Sequence, residues 1–284
     1  MKISGWIVVL LFIIPRAHAQ QVDSTQVAKK IAPWYVERFK LNAAFFLPIN
    51  STNVQVGITG SAPGTDIDFQ KDLGYIKDVA TFLASFQWRI SRRCRVNLAY
   101  YNIKLGTEHV LQKDIEFKGE TYPINTPVNS FFNTAIYQFS FGYAFVSKPK
   151  FEVGLLIGTH VLISNVGLSI DGTNGISQIQ SFAFNAPLPD LGVWGGYSFS
   201  NRFAANINID YLSLTIGNNS GTIFAYNLFF LYRLVSQLDL SLGFSGLNFK
   251  VVDTRKDFTG SLKWGYNGPS IGLTFSFGKK SWLN

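Results

Sequence analysis

The stretch that decides the fold is TFLASFQWRISRRCRVNLAYY, residues 81–101. Apolar side chains recur at every second position before and after SRRC: Phe82, Ala84, Phe86, Trp88 and Ile90, then Val96, Leu98 and Tyr100. A period of two is that of a β-strand, because successive side chains point to opposite faces. The stretch therefore predicts a β-hairpin with a tight turn at SRRC.

Four arginines lie in and beside this turn, and parity separates them into two groups. Arg89 and Arg95 share the face opposite to the apolar side chains. Arg92 and Arg93 lie in the turn itself, where we expect them to face water or lipid headgroups. Trp88, on the apolar face, is typical of the aromatic girdle at a membrane interface.

The same alternation runs through the chain beyond about residue 35, for example in IYQFSFGYAF (136–145), FEVGLLIGTHVLI (151–163) and RFAANINIDY (202–211). One face is large and often aromatic, and the other carries Gly, Ser, Asn and Ala with scattered ions. A soluble sandwich would hide its bulky face and expose one rich in Lys and Glu. Bulky groups outward and small polar groups inward indicate an all-β, antiparallel, up-and-down transmembrane β-barrel.

The connections between the runs support this prediction. Short turns at residues 91–94, 147–150, 200–201 and 236–237 alternate with longer polar stretches. Bacterial outer-membrane barrels have short periplasmic turns and longer external loops.

The number of strands depends on residues 50–75. FKLNAAFFLP (39–48) is a first strand, and nine further runs follow from Val79 onward. NVQVGIT and TDIDF both alternate, and SAPG between them favours a turn. We expect this segment to form a further hairpin, which gives twelve strands; as one external loop it would leave ten.

The N-terminus predicts export. Lys2, the apolar run WIVVLLFII (6–14) and AHA (17–19) form a signal peptide over residues 1–19, and the apolar run is too short to span a bilayer. Residues 20–34 are expected to be a periplasmic leader, and residues 35–284 a single barrel domain in the outer membrane of a Gram-negative bacterium. The chain carries a net charge of +8, but an exported chain has no access to nucleic acid. Cys94, the single cysteine, allows no internal disulfide.

Several motifs in order resemble an uncharacterised family of bacterial outer-membrane β-barrel proteins: GTDIDFQKDLGY (64–75), WRISRRCRVNLAYYNI (88–103), KDIEFKGETYPI (113–124), YAFVSKPKFEVGLLIGTHV (143–161), APLPDLGVWGGY (186–197) and GYNGPSIGLTFSF (265–277). The resemblance covers nearly all of the chain beyond the signal peptide. It implies a barrel fold and an outer-membrane location, and it implies no activity.

Parity also predicts which polar side chains line a narrow lumen: Lys40, Gln87, Arg89, Arg95, Asn97, Gln138, Glu152, His160, Asp190, Asn206, Asn208, Asp210, Arg233 and Asp239. Both charge signs are present, so we expect ion pairs across the interior. The function predicted first is a structural or interaction barrel. The alternative is a porin-like channel for a small solute. The sequence leaves both open, because a closed plug and a thin pore are lined by the same kinds of polar side chain.

An enzyme that hydrolyses lipid or peptide is a more distant alternative, resting on His160 and Ser164 of one strand, and no catalytic residue is assigned. No cofactor or metal is expected; Asp66, Asp68 and Asp72 are predicted to be an acidic edge of a turn rather than a calcium loop. The expected partners are outer-membrane lipids, the barrel-assembly machinery during insertion and possible small solutes, with no nucleic acid.

Overall fold

The computed structural model describes residues 32–58, 64–76, 80–170, 178–217, 219–254 and 258–278. The predicted signal peptide and residues 20–31 of the predicted leader lie outside this part of the chain. Its elements are β1 (Phe39–Phe46), β2 (Ile49–Ile58), β3 (Ile67–Asp68), α1 (Phe69–Asp72), β4 (Thr81–Arg89), β5 (Cys94–Val110), β6 (Ile115–Phe117), β7 (Glu120–Tyr122), β8 (Pro127–Ser147), β9 (Phe151–Ile170), β10 (Gln178–Ser198), β11 (Phe203–Ile216), β12 (Asn219–Val235), β13 (Leu238–Thr254) and β14 (Phe258–Phe277). Across these ranges, no helix is long and apolar enough to cross a membrane.

The strands form an antiparallel barrel, as the alternation predicts. Going round the ring, the order is β1-β4-β5-β8-β9-β10-β11-β12-β13-β14, and β14 closes the ring by pairing with β1. The nine runs predicted after Val79 are the nine strands from β4 to β14 in this ring. The tight turns between them fall at one end, which we call the periplasmic end.

The predicted hairpin of residues 50–75 exists in a reduced form. β2 prolongs β1 along the same neighbour, β14, beyond Pro48, which has no backbone N–H. β2 then pairs with β3 through Val54–Ile67 and Asn53–Asp68. Because β3 has only two residues, it adds no membrane crossing. The main sheet therefore has twelve strands, and its closed ring has ten.

The polarity of the two faces inverts part of the way along the long strands. On the periplasmic part of β5, Arg95 points inward and Leu98 points outward. Further along the same strand, Ile103 and Leu105 are buried inside while Lys104 is exposed. The period of two is unbroken, so the chemical character of the faces changes and the geometry does not.

The same inversion occurs on other strands. On β14, Thr274 points inward and Phe275 outward near the periplasmic end, whereas Trp264 is buried and Lys263 exposed near the external end. A barrel wall in lipid must be apolar outside, and a wall in water must be apolar inside. The strands therefore cross a membrane with their periplasmic parts and continue into water as a barrel with an apolar core.

The exterior of the periplasmic part is a continuous belt of exposed apolar side chains, far larger than the patches of soluble monomers. Aromatic rings border it at both levels: Trp88, Tyr143, Tyr197 and Tyr232 near the periplasmic turns, and Tyr100, Tyr137 and Tyr211 at the inversion. Tyr100 and Tyr137 are direct cross-strand partners, with ring centroids 5.0 Å apart. Such girdles lie at the two interfaces of a bilayer.

Candidate functional site

The side chains predicted to line the lumen are buried in the periplasmic half of the barrel, line its polar cavity, or lie at its periplasmic rim. Those that line the cavity are Lys40, Gln87, Arg89, Arg95, Asn97, Gln138, His160, Asn206 and Asn208. Those buried beside it are Glu152, Asp190, Asp210 and Asp239. Arg233 lies at the periplasmic rim. The cavity has a volume of about 170 Å³, so much of the interior is occupied by side chains.

An ion pair near the periplasmic turns joins β4 to β9 across the lumen. Arg89 donates from Nη2 to Glu152 Oε2 at 2.9 Å and from Nη1 to Glu152 Oε1 at 3.3 Å. Ser147 donates a further hydrogen bond to the same carboxylate at 3.3 Å. Two parallel N–H···O bonds are the geometry in which arginine binds a carboxylate most strongly.

Arg92 corrects the sequence prediction for the turn. Its guanidinium does not face bulk water or headgroups; it folds inward and also pairs with Glu152. The reason is charge balance, because a carboxylate with no exposed surface is costly to bury and two guanidinium groups stabilise its charge. Arg93, in the same turn, is exposed as expected.

Arg95 crosses the lumen at a second point. Its guanidinium carbon lies 3.6 Å from the centroid of the Trp194 ring, and Nη2 donates to Asn208 Oδ1 at 3.2 Å. Trp194 is almost fully buried and packs with Ala144 and Leu156. The cation therefore stacks on a desolvated aromatic face, where this interaction is strongest.

His160 has a partner that the sequence did not assign. Its Nδ1 lies 2.7 Å from Asp190 Oδ2, and both side chains are almost fully buried. Asp210 is a diagonal neighbour of Asp190, because its cross-strand partner on β10 is Gly192. Neither oxygen of the Asp210 carboxylate has a hydrogen-bond partner among the described residues. Parity placed all three acidic and basic groups on one face, but only the register shows which of them meet.

The structure does not assemble the hydrolase pair considered from sequence. Ser164 lies on the inner face of β9 with His160, but its hydroxyl shares a 2.9 Å hydrogen bond with Thr134. Both hydroxyls are buried. A nucleophile must reach both its base and its substrate, and Ser164 is engaged with neither.

Residues just before β1 close the periplasmic mouth. Trp34 donates from Nε1 to the Ser200 carbonyl at 2.8 Å, and Arg233 donates to the Trp34 carbonyl at 3.1 Å. The Arg233 guanidinium also lies 4.2 Å from the Trp34 ring centroid and 3.4 Å from Asp239 Oδ1. Tyr35 is buried next to them, and burial raises the pKa of its hydroxyl, which stays neutral. The sequence signal for this closure was the aromatic pair in APWY, at the border of the predicted leader.

The external half of the lumen is closed by apolar packing, which corrects the expectation of a polar lumen along the whole barrel. Phe69 of α1 meets Phe132 of the wall at 5.7 Å between ring centroids, and Phe132 meets Trp264 at 5.7 Å. Ile115 and Phe117 of the β6–β7 hairpin belong to the same buried cluster. Ile115 and Phe117 lie within one of the longer polar stretches between the predicted strands, so the period-two pattern does not predict that they are buried.

The β6–β7 hairpin crosses the external mouth of the barrel from one wall to the other. Lys118 and Gly119 form its two-residue turn, both with positive φ (55° and 82°), as expected for the tight hairpin turn that favours glycine. The Lys118 backbone N–H donates to the Val56 carbonyl of β2 at 3.1 Å. Its Nζ donates to the Ser181 carbonyl of β10 at 3.1 Å. The hairpin thus joins opposite walls of the barrel.

Two of the acidic residues of TDIDFQKD, Asp68 and Asp72, have structural partners. Asp68 caps α1 by accepting from the backbone N–H groups of Gln70 and Lys71, each at 3.0 Å. Asp72 accepts from the Asp68 backbone N–H at 2.9 Å and pairs with Lys113 Nζ at 2.8 Å. Within the described ranges, no group of three or more potential metal ligands comes together.

Solved structures with a similar fold are bacterial outer-membrane barrels. The outer membrane protease OmpT from Escherichia coli aligns with a TM-score of 0.50 and 12% identity, over 86% of this chain and 100% of that one. OprG from Pseudomonas aeruginosa aligns with a TM-score of 0.36 and 10% identity, over 88% of this chain and 99% of that one. The Pseudomonas putida toluene transporter TodX aligns with a TM-score of 0.32 and 10% identity, over 90% and 95%.

No family model matches the chain, and no curated protein matches it. At 12% identity the likeness to OmpT shows the fold alone: an antiparallel β-barrel of the outer-membrane type.

Proposed function

We propose that the chain, after removal of residues 1–19, is an integral outer-membrane barrel with a closed lumen that acts by binding at its external end. The observation that carries this proposal is the apolar cluster in the external half of the lumen. An open aqueous path would run between polar walls, whereas here Phe132 contacts both Phe69 and Trp264 inside the barrel.

A second closure supports the same proposal. At the periplasmic end the Arg89–Glu152 pair crosses the lumen, and Tyr35 is buried beneath it. A solute would have to break a buried ion pair at one end and an aromatic cluster at the other. Conduction of small solutes by a barrel of this kind is therefore the less favoured alternative.

Single-channel recording in planar bilayers tests the proposal. We expect the mature chain to give no discrete current steps, while heat-modifiable gel mobility reports that it is folded. The comparison variant removes both closures: Phe69, Phe132 and Trp264 are changed to alanine, and residues 20–36 are deleted together with the changes Arg89→Ala and Glu152→Ala. We expect current steps from this variant and fewer or none from a variant that lacks only one closure. Regular steps from the wild-type chain would contradict the proposal and favour the channel.

We further propose that the barrel is not a hydrolase. The His160–Asp190 pair is the one arrangement in the described lumen that resembles an acid–base site, and both side chains are almost fully buried. The test is hydrolysis of phospholipid and of a peptide library by the wild-type chain and by His160→Gln. Cleavage that is lost in the variant would overturn this part of the proposal.

A further inference from the structure

The barrel wall has a seam between β10 and β11. The two strands pair only from Leu191–Tyr211 to Ser198–Ala204. β10 nevertheless continues along β9 as far as Gln178, and β11 continues along β12 as far as Ile216. Beyond the Leu191–Tyr211 pair, the described residues of the two strands form no ladder with each other.

Two prolines explain where the ladder stops. Pro187 and Pro189 lie on the external side of Leu191, the last residue of β10 that pairs with β11, and have no backbone N–H to donate. Both keep their places in the β9 ladder, opposite Val161 and Thr159. Because the Ser198 N–H points toward β9, where it donates to the Lys150 carbonyl, the N–H edge of the odd-numbered residues of β10 faces β11. The edge that lacks donors at Pro187 and Pro189 is therefore the edge facing β11.

The seam changes which strands touch. Leu188 of β10 reaches past β11: its Cδ2 lies 2.8 Å from the position that a Cβ on Gly221 of β12 would occupy. In a continuous barrel wall, β11 would separate these two residues. A larger side chain at Gly221 would displace Leu188, so this glycine leaves the space that the arrangement needs.

A cavity of about 480 Å³ lies at the seam. Its inner wall is apolar and includes Leu188, Leu212, Ile223, Val251 and Leu262. Three exposed residues beside the seam line it as well: Pro187, Pro189 and Leu214. The cavity therefore reaches from the apolar interior to the outer surface, and none of the described residues that line it is charged. Its volume lies in the range of sites that bind small organic ligands.

The outer opening meets the lipid-facing belt. Leu191 and Tyr211, the last paired residues below the seam, are each 55% exposed and point outward. Tyr211 belongs to the external aromatic girdle, so the seam begins at the outer membrane interface. The seam lies on the external side of this girdle, so a molecule that enters it leaves the hydrocarbon at the interface and moves directly into the apolar cavity.

We propose that this cavity binds an acyl chain of a lipid from the surrounding bilayer, which enters laterally through the seam between β10 and β11. This inference names a ligand class for the closed barrel and rests on the proposed function, because an aqueous channel would keep the cavity wet. The apolar lining favours the acyl chain, and the polar side chains of Asn185 and Ser220, also at the cavity, lie where a polar head would reach them.

Photo-crosslinking of the folded chain in lipid nanodiscs tests the proposal. The probe is a phospholipid with a diazirine in one acyl chain, and the adduct sites are mapped by mass spectrometry. We expect adducts on the inward-facing residues Leu188, Leu212 and Val251. A second arm uses a free diazirine-bearing fatty acid. Labelling of these positions by the fatty acid alone would overturn a bilayer lipid as the occupant.

Two variants make the test specific. Val251→Trp fills the cavity and is expected to lower the adduct yield on Leu188 and Leu212 by about tenfold or more, since overpacking opposes the bound chain. Val193→Trp is the matched control, because Val193 is on the lipid-facing surface of β10 and should leave the yield unchanged. Heat-modifiable mobility checks that both variants fold.

A second pair of changes addresses the seam itself. Pro187→Val with Pro189→Val restores the donors and permits the ladder to extend, so labelling inside should fall while labelling of Leu191 and Tyr211 persists. Adducts confined to outward-facing residues in the wild-type chain would mean that only annular lipid is present, and would overturn the site. The two proposals fail in different measurements. Current steps from the wild-type chain would contradict the closed lumen, whereas the absence of adducts inside the cavity would contradict the lipid site.

Discussion

The Arg89–Glu152 pair allows the sharpest test of how the lumen is held together. Glu152 has no exposed surface and accepts hydrogen bonds from Arg89, Arg92 and Ser147. Glu152→Gln keeps the size of the side chain and removes its charge. Arg89, which is 2% exposed, then loses the carboxylate with which it pairs.

The expected loss of stability follows from that burial. Removing one partner of a buried ion pair costs about 3–5 kcal/mol, because the remaining charge stays desolvated. The amide oxygen of Gln can still accept one hydrogen bond, so we expect about 3 kcal/mol. Arg92 adds little to this figure, since at 17% exposure it can turn outward to water.

The assay is urea unfolding of the chain in lipid vesicles, followed by tryptophan fluorescence. Glu120→Gln is the matched control: Glu120 is exposed on β7, and its change should stay within about 0.5 kcal/mol. The double variant Arg89→Met, Glu152→Leu removes both charges and should regain most of the loss. A loss for Glu152→Gln that is no larger than that of the control would refute the reasoning.

Three further outcomes follow from the same interior. Arg95→Lys should lower the free energy of unfolding by about 1–2 kcal/mol, because an ammonium lacks the planar stacking on Trp194; Arg95→Met would lose more if the cation itself matters. His160→Ala should cost about 1–3 kcal/mol by leaving Asp190 without its hydrogen bond, and His160→Gln should recover part of it. Phe132→Ala should cost about 3–5 kcal/mol through the cavity it creates, and should also speed hydrogen exchange in the β6–β7 hairpin; unchanged exchange would show that the hairpin is held independently of this ring.

The sequence was sufficient to predict the strands of the barrel wall and the face of each strand residue. It was insufficient to predict which side chains contact each other across the lumen. Period two assigns a face to every strand residue, so Arg95 and His160 could be placed inside from parity alone. Which inward groups meet depends on the register of ten strands and the closure of the ring. The contact between Arg95 and Trp194 joins β5 to β10, and no local pattern encodes such a distance.

The inverted polarity of the external half was missed for a different reason. The alternation continues unchanged through the inversion. In sequence, an apolar residue that points inward, such as Ile103 or Leu105, gives the same alternating pattern as one that points outward. Only the surroundings change, from lipid to water, and the alternating pattern does not indicate at which residues the strands leave the membrane. The prolines of APLPDLG were a visible signal, because proline within a strand marks an edge or an interruption.

The inversion has a mechanical consequence for how deeply the barrel is seated. Lys104 on β5 and the cross-strand partners Lys250 and Lys263 project outward on the external side of the aromatic girdle. If the surrounding bilayer were thicker than the apolar belt, these ammonium groups would have to enter hydrocarbon, so the lipid must thin around the barrel instead. The external half therefore serves as a depth stop, which fixes the level of the seam relative to the membrane surface.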